Sequence, residues 1–255
     1  MPDPSATRGV ALITGAGRRI GRALALAMAG AGYDIAIHCL RSVADAESLA
    51  AEIKALGRRA QVLKADLAEE APTRGLVGAA RRALGPVTLL INNASVFEDD
   101  RIETFAPETW RAHMEVNLHA PLLLSQSFAA ELPEGLSGLI INILDQRVWN
   151  PNPQFFTYAL SKAALWNATR TMAQGLAPRI RVNGIGPGPT LPSIHQTAEI
   201  FQAEAANTPL ERGTSPADIA AAALYLVDAP SVTGQMIAVD GGQHLAWRTP
   251  DIVLP

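Results

Sequence analysis

Tyr158 and Lys162 are the pair of side chains in this sequence whose types and spacing most directly indicate chemistry. They lie four residues apart in a segment of strong helical periodicity, so both side chains project from the same face of the predicted helix. An ammonium group held near a phenol stabilises the phenolate and lowers the tyrosine pKa from about 10. We therefore predict a tyrosine that exchanges a proton near neutral pH. The alternative is a chance spacing on a solvated helix.

A glycine-rich turn near the start of the chain is the second candidate site. Residues 14–21 follow an apolar run, 10–13, and open a helical pattern of apolar residues. Small residues in such a turn let the backbone approach a pyrophosphate at the helix N-terminus, where free N–H groups and the helix dipole favour negative charge. The turn predicts a dinucleotide-binding site, although glycine-rich turns also make simple strand-to-helix connections. The candidate residues are Gly15, Arg18, Arg19 and Ile20.

The elements that must position these residues follow from an alternation of short apolar runs with longer helical patterns. The predicted strands are 10–14, 34–38, 60–65, 87–92, 138–144, 179–185 and 236–239. The predicted helices lie near 18–31, 42–57, 71–84, 108–131, 157–176 and 216–228. Because strands such as 139–144 are continuously apolar, we predict a parallel sheet covered by helices on both faces. The expected fold class is α/β, a doubly wound, seven-stranded parallel sheet of the Rossmann type.

The domain organisation follows from the length of 255 residues, which suffices for one large domain, and from a composition without a break. We place that domain at residues 9–247, between a flexible N-terminal segment, 1–8, and a C-terminal tail, 248–255. A proline-rich loop begins at 187 and leads into a polar, alanine-rich stretch. We expect this region, near 187–212, to be a lid over a substrate pocket.

Composition and charge exclude several classes of function. The formal net charge is -3 and the arginines are scattered, so we expect no nucleic-acid partner. The chain has no apolar stretch of membrane-spanning length and its start lacks the features of a signal peptide, so we expect no membrane partner. A single cysteine, Cys39, fits a reducing compartment, and we predict a cytoplasmic protein. The histidines show no metal-ligand spacing, so we predict no metal.

Further motifs follow in chain order and complete a known pattern. They are Asp66-Leu67, Asn92-Asn93-Ala94, Asn117, Asn183 with Pro187-Gly188, and Val239-Asp240-Gly241-Gly242. With the glycine-rich turn and the Tyr158/Lys162 pair, they make the chain resemble the short-chain dehydrogenases/reductases over nearly its full length.

This resemblance implies roles for the matching residues. Asp66 with Leu67 would lie by the adenine ring of the cofactor, Asn92 and Ala94 would line the cofactor, and Asn117 would position a water linked to the lysine. Cofactor contacts are also implied for Tyr158, Lys162, Pro187 and Gly188. Ordinary alternatives exist: Asp66 could cap a turn, Asn117 could be a helix-interior amide, and Asp240-Gly241-Gly242 could be only a turn.

Departures from the usual family pattern indicate a subfamily. Arg19 stands where most members have glycine, Asp145 where most have serine, and Ser95 where most have glycine. This set resembles the pteridine reductases and the bacterial dihydromonapterin or dihydrofolate reductases. The resemblance implies that Arg19 reaches both the cofactor phosphate and the pterin, that Ser95 contacts both ligands, and that Phe97 stacks on the pterin.

The chemistry of a dihydropterin explains the substitution at position 145. Its C=N bond needs a proton on nitrogen as carbon gains hydride, and Asp145 beside Tyr158 would form a carboxyl–phenol pair that delivers this proton. Asp145 could equally be a helix cap or a partner of Arg147. A planar heterocycle also suits stacking on Phe97. Core or loop packing is the alternative for that ring.

The choice of cofactor is predicted from the residues after the second strand. NAD-binding chains usually place a carboxylate there for the ribose hydroxyl, whereas this chain has His38-Cys39-Leu40-Arg41-Ser42. Arg41 and Ser42 suit a 2′-phosphate, with Arg18 as a further cation, and the prediction is NADPH. A solvated loop arginine is the alternative for Arg41. His38 could contact the same phosphate or could be satisfied by backbone groups.

The combined prediction is an NADPH-dependent reductase that transfers hydride to a dihydropterin or dihydrofolate C=N bond. Arg19, Ser95, Phe97, Asp145 and Tyr158 would bind this substrate, and Asp145, Tyr158, Lys162 and Asn117 would form the catalytic group. The rival functions are a short-chain ketone reductase for a sugar, acyl or other small carbonyl, and a non-catalytic NADP-binding sensor. Family resemblance also implies a homotetramer.

Overall fold

The computed structural model describes residues 7–193 and 196–247. Apart from Thr7 and Arg8, the segments predicted at 1–8 and 248–255 lie outside the described residues. Within them, seven strands form one sheet in which every neighbouring pair is parallel. The strands are β1 (Val10–Ile13), β2 (Asp34–Cys39), β3 (Ala60–Lys64), β4 (Val87–Asn92), β5 (Gly138–Ile143), β6 (Ile180–Pro187) and β7 (Met236–Val239). Each prediction for a strand is confirmed to within two residues.

The order of the strands creates a crevice at one edge of the sheet. The order is β3-β2-β1-β4-β5-β6-β7, so the chain turns one way from β1 to β2 and the other way from β3 to β4. In doubly wound sheets ligands bind outside the carboxyl ends of the strands at this reversal. The segments that follow β1, β4 and β5 therefore meet at one place, although the sequence separates them widely.

Helices cover both faces of the sheet, as predicted. They are α1 (Arg19–Gly30), α2 (Val43–Ala55), α3 (Glu70–Leu84), α4 (Pro107–Met114), α5 (Ala120–Glu131), α6 (Phe156–Leu176), α7 (Ala198–Ala206) and α8 (Pro216–Asp228). Leu24 of α1, Ile53 of α2 and Leu226 of α8 are fully buried on one face. Val77 of α3 and Phe128 of α5 are buried on the other. Burial of these apolar faces holds the layers together.

The helix predicted over 108–131 contains an irregular turn that the sequence pattern did not indicate. A π-helical segment, Glu115–His119, joins α4 to α5 without leaving helical backbone angles. Such segments add one residue to a turn and are frequent at functional sites. This one carries the fully buried Asn117. The irregular turn therefore changes the direction of the Asn117 side chain relative to a regular helix.

The region predicted as a lid contains a helix that was not predicted. Thr197 precedes α7 and caps it, since its side chain accepts a hydrogen bond from the Ile200 N–H at 3.3 Å. Threonine is a favoured residue at this position because its oxygen satisfies one of the free N–H groups of the first turn. The alanine-rich sequence that follows has high helix propensity.

Candidate active site

A cavity of about 730 Å³ lies at the carboxyl edge of the sheet. Its volume is in the range usual for small-molecule sites. The predicted site residues that line it are Gly15, Arg18, Arg19, Ile20, Ala94, Ser95, Phe97, Asp145, Tyr158, Lys162, Pro187 and Gly188. These residues come from five separate segments of the sequence, so the fold brings together most of the site that the motifs predicted.

The other predicted site residues do not line this cavity: His38, Arg41, Ser42, Asp66, Leu67, Asn92 and Asn117. Arg41, Ser42, Asp66 and Leu67 follow β2 and β3, the strands beside β1, and so lie further along the same edge of the sheet. Asn92 is buried, and its Nδ2 donates to Asn142 Oδ1 of β5 at 2.8 Å. Its side chain thus joins two strands. The Asp66 carboxylate accepts from the Ala68 N–H at 2.9 Å, which is the turn-capping alternative.

The glycine-rich turn is shaped by close backbone packing. Gly15 has a φ of +63°, and a Cβ added at Gly21 would lie 2.3 Å from the Gly15 carbonyl oxygen. Both positions therefore require glycine. The side chain of Asn93, directly after β4, donates to the Thr14 carbonyl at 2.8 Å. The turn is thus held open at the N-terminus of α1, where backbone N–H groups favour a phosphate.

His38 is hydrogen-bonded to the backbone of this turn. Its Nδ1 accepts from the Gly15 N–H at 3.1 Å, and its Nε2 lies 3.1 Å from the Ala65 carbonyl oxygen. The ring is therefore neutral with its proton on Nε2, and burial also lowers the pKa of His38. Since both ring nitrogens have backbone partners and the side chain is buried, the structure corrects the expected phosphate contact in favour of the backbone-bonded alternative.

Arg19 adopts a backbone conformation that favours glycine. Its φ is +54°, in the left-handed region, and it begins α1. Its guanidinium donates to the carbonyl oxygens of Pro192 at 2.9 Å and Leu191 at 3.3 Å. An arginine in this conformation carries strain of about 1 kcal/mol relative to glycine. The side chain therefore connects the phosphate turn to the loop after β6 across the cavity.

Tyr158 and Asp145 form a direct pair inside the cavity. The Tyr158 hydroxyl donates to Asp145 Oδ2 at 2.9 Å. The other oxygen of Asp145 accepts from the Arg147 N–H at 2.8 Å, which caps the short turn Gln146–Val148. Arg147 Nη1 also lies 3.4 Å from Oδ2. Asp145 is therefore at once the partner of the tyrosine, a cap and the partner of Arg147.

The electrostatics of the tyrosine differ from the expectation. Burial and the Asp145 carboxylate raise the pKa of Tyr158 well above its usual 10, while Arg147 opposes this shift. Lys162 does not lower it: its Nζ donates to the Ile143 carbonyl at 2.8 Å and lies 5.7 Å from the centroid of the tyrosine ring. Burial lowers the pKa of Lys162 to about 8. In the protein alone Lys162 thus does not activate Tyr158, which is a protonated phenol; activation by Lys162 together with a bound oxidised nicotinamide stays a prediction.

An aromatic cluster forms one wall of the cavity. Phe97 stacks on Phe155 with ring centroids 4.1 Å apart and meets the Tyr158 ring edge-on at 4.7 Å. The Arg147 guanidinium lies 5.3 Å from the Phe155 centroid and 5.9 Å from that of Phe97. Phe97 is therefore part of the cavity wall, and Phe155 is a second aromatic residue there.

Asn117 holds the segment that carries Ser95. Its Oδ1 accepts from the Val96 N–H at 2.8 Å and lies 3.1 Å from Ser95 Oγ, and its Nδ2 donates to the Val96 carbonyl at 2.9 Å and to Ser161 Oγ at 3.2 Å. The amide is neither solvated nor merely inside a helix, since it joins the loop after β4 to α6. The role that the resemblance implies, a water linked to the lysine, stays a prediction.

Comparisons with known proteins agree with the geometry of the site. The family model described as short chain dehydrogenase matches residues 9–203. The chain belongs to this family. It is therefore an oxidoreductase of the short-chain dehydrogenase type, as the order of its motifs predicted.

Solved structures connect this short-chain dehydrogenase to a subfamily. The FolM alternative dihydrofolate reductase 1 of Brucella canis, complexed with NADP, is 48% identical, with a TM-score of 0.94 over 98% of this chain and 100% of that one. The FolM structure from Brucella suis, also with NADP, is 49% identical, with a TM-score of 0.93 over 96% and 99% of the two chains. This likeness agrees with the resemblance to pteridine reductases.

Relatives with other activities are also similar. The 7alpha-hydroxysteroid dehydrogenase of Escherichia coli strain K12 is 36% identical over 238 residues, which are 91% of this chain and 92% of that protein. Family membership by itself therefore does not select the substrate of this short-chain dehydrogenase.

Three residues of the site had no site role predicted from the sequence. Asn93 supports the phosphate turn, Phe155 stacks on Phe97, and Arg147 lies at the cavity beside both rings. Asn93 had a signal, since it is polar and follows a buried strand directly. The role of Phe155 had none, because its φ of +53° and its position opposite Phe97 arise only in the fold.

Two features of the described residues concern membranes and metals. Among the helices that the structure describes, none is both long and apolar enough to cross a membrane. Residues 7–193 and 196–247 also contain no group of three His, Cys, Asp or Glu side chains that could hold a metal ion.

Proposed function

We propose that this short-chain dehydrogenase reduces the C=N bond of a dihydropterin or dihydrofolate with NADPH. The observation that carries the proposal is the 2.9 Å hydrogen bond between Tyr158 and Asp145 in a cavity walled by Phe97. A carboxyl–phenol pair suits protonation of a ring nitrogen, and an aromatic wall suits a flat heterocycle. The likeness to two FolM dihydrofolate reductases, both solved with NADP, supports the same substrate class.

The residues present fit NADPH. The open turn at Gly15, with its tight packing against Gly21, leaves backbone N–H groups at the start of α1 for the pyrophosphate. Arg41 is exposed two residues after the end of β2, and Ser42 precedes α2, where a 2′-phosphate would be expected. Arg18 donates to Asp45 at 2.5 Å, so Arg41 would be the main phosphate ligand. When bound, NADPH supplies the hydride.

The chain's own residues would handle the proton and hold the substrate. Tyr158, a phenol whose pKa is raised by burial and by Asp145, would present its hydroxyl to the substrate nitrogen. Asp145 holds that hydroxyl in the protein alone. For delivery the Tyr158 O–H bond would break as an N–H bond forms on the substrate, and the resulting phenolate would regain a proton from solvent. Phe97 would stack on the pterin, while Arg19 and Ser95 would hold its edge. Lys162 and Asn117 would position the groups around the tyrosine.

The proposal is tested by NADPH oxidation with dihydromonapterin, dihydrobiopterin, dihydrofolate, biopterin and several ketones. We expect steady turnover with at least one of the dihydro compounds and little with ketones. Efficient reduction of ketones alone would overturn the pterin assignment and leave a short-chain ketone reductase, the function that the likeness to a hydroxysteroid dehydrogenase favours. Absence of turnover with every compound would favour a non-catalytic NADP-binding sensor, against which the complete Tyr158/Lys162 pair argues.

Arg41→Ala should weaken NADPH binding about 10- to 100-fold and change NADH binding little. A charge-assisted hydrogen bond contributes about 1.5–3 kcal/mol, which corresponds to this loss. Fluorescence titration with both cofactors measures it. Arg82→Ala, at an exposed arginine of α3, is the matched control. Equal losses for NADPH and NADH would contradict the assignment of Arg41 to the 2′-phosphate.

Arg19→Gly should raise the Michaelis constant for the dihydropterin about tenfold and lower turnover, while the protein stays folded. Glycine relieves the left-handed strain at this position, and loss of the guanidinium removes its donors to the substrate. Steady-state kinetics and thermal unfolding give the two readouts. Arg22→Ala, one turn further along α1 and outside the cavity lining, is the control. Unchanged kinetics in Arg19→Gly would remove this residue from the substrate site.

We also propose that the protein is a cytoplasmic homotetramer that acts on a small molecule, with neither nucleic-acid nor membrane partners. Trp110 of α4 and Leu160 of α6 are 41% and 40% exposed. Exposed aromatic and aliphatic side chains on packed helices suit burial against copies of the same chain. Light scattering should give the mass of four chains, and a monomer at micromolar concentration would contradict the proposal.

A further inference from the structure

Asp100 lies outside the cavity lining, yet it contacts the start of the helix that carries Tyr158. Phe155, the residue before α6, has left-handed backbone angles and offers no side-chain acceptor to the first turn. The first N–H groups of a helix need acceptors from elsewhere in that case. Asp100 supplies them from the segment between β4 and α4. Its carbonyl accepts from the Phe156 N–H at 3.2 Å and its Oδ1 from the Thr157 N–H at 3.0 Å.

Thr157 extends this contact into a buried chain of hydrogen bonds. Its hydroxyl donates to Asp100 Oδ2, and His113 Nδ1 lies 2.7 Å from the same hydroxyl. Because the hydroxyl proton is committed to Asp100, His113 must donate from Nδ1. His113 Nε2 then accepts from the Glu98 N–H at 3.2 Å. The donor and acceptor of every hydrogen bond in this network are therefore determined, and His113 is neutral.

The hydrogen-bond network reaches the ring of Tyr158 through His113. The His113 ring meets the Tyr158 ring edge-on, with centroids 6.0 Å apart. Asp100 is 5% exposed, and Thr157 and His113 are fully buried. Burial of a carboxylate is costly unless its oxygens are bonded, and here the helix N-terminus and a hydroxyl satisfy it. A buried carboxylate that is bonded in this way fixes the position of the first turn of α6, because it has no water to bond to instead.

We propose that Asp100, Thr157 and His113 are positioning residues for Tyr158, setting the place of its hydroxyl relative to Asp145 through the first turn of α6. The inference rests on the proposed function of Tyr158 as the proton donor. It does not depend on the identity of the substrate, because a ketone and a C=N bond both need that proton. Displacement of a reacting group by about 1 Å can lower a rate by about two orders of magnitude.

The test compares Thr157→Val with Thr157→Ser. Valine keeps the shape and removes the hydroxyl, so Asp100 and His113 both lose their shared partner. Serine restores the hydroxyl. We expect Thr157→Val to lower kcat about tenfold, with the Michaelis constant and the Kd for NADPH within twofold of wild type, and Thr157→Ser to recover most of the loss. The assay uses whichever compound of the substrate panel the wild type reduces.

Two results would overturn the inference. One is a wild-type kcat in Thr157→Val, even with a lowered thermal midpoint, which would leave the network a merely structural role. The other is an equal loss in Thr157→Ser, which would show that the hydroxyl is not the determinant. Should Thr157→Val not fold by circular dichroism, Asp100→Asn is measured against the same criterion. Reduction of ketones alone by the wild type would contradict the pterin proposal but would leave this comparison decisive for the positioning proposal.

Discussion

Tyr158→Phe is expected to lower kcat by about 10²–10⁴-fold while NADPH still binds with wild-type affinity. The range is the usual contribution of a positioned acid to proton transfer. Phenylalanine keeps the ring that contacts Phe97 and His113 and removes only the hydroxyl that donates to Asp145. The fold and the aromatic wall should therefore persist. Single-turnover kinetics and cofactor titration measure the two effects separately.

Tyr225→Phe is the matched control for this prediction, because Tyr225 is exposed on α8, away from the cavity lining. It should leave kcat unchanged. A Tyr158→Phe variant with more than about a tenth of wild-type kcat would contradict the role of the phenol as proton donor. A loss of NADPH binding in the same variant would instead assign the tyrosine to cofactor docking.

Asp145→Ala is expected to lower turnover of a dihydropterin by about 10–10²-fold, a substantial part of the contribution of proton delivery. The Asp145 carboxylate accepts a hydrogen bond from the Tyr158 hydroxyl and caps the turn Gln146–Val148. It also forms an ion pair with Arg147, whose side chain is largely buried. Asp145→Asn keeps the shape and an acceptor for the cap, so it separates the charge from the packing. Asp145→Ser introduces the residue that most members of the family have at this position.

The pH profile provides a second readout of Asp145. Because the carboxylate raises the pKa of Tyr158, its removal in Asp145→Asn lowers that pKa toward the usual value. The protonated phenol is the active form, so activity is lost as pH rises through the tyrosine pKa. The alkaline limb of the profile should therefore move to lower pH in the variant. Full pterin turnover in both Asp145→Ala and Asp145→Ser would make the carboxylate only structural.

The sequence by itself determined the layers of this protein and the place of its site. Apolar runs such as Gly138–Ile143 are too continuous for a half-exposed strand, and the observed strand is buried at every position. Turn residues are specified locally as well. Gly15 and Gly21 are required by backbone packing within a few residues of each other, so the motif indicated the phosphate turn directly.

Tertiary structure decided the features that depend on distant neighbours. In the protein alone burial and Asp145 raise the pKa of Tyr158 and Arg147 opposes them, whereas Lys162 bonds to a carbonyl of β5. Helical spacing places two side chains on one face, but it does not say which of them the sheet will contact. His38 likewise bonds to backbone groups of two neighbouring segments, and this choice depends on how close those segments lie.

The π-helical turn at Glu115–His119 and the capping of α6 by Asp100 have the same origin. The helical prediction depends on the spacing of apolar residues along the sequence, and one extra residue in a single turn changes that spacing very little. A cap from another segment leaves no local signal, because the acceptor lies far from the helix in sequence. Local patterns thus determined the elements and their site residues, and packing between elements decided the orientation, charge state and hydrogen-bond partners of those residues.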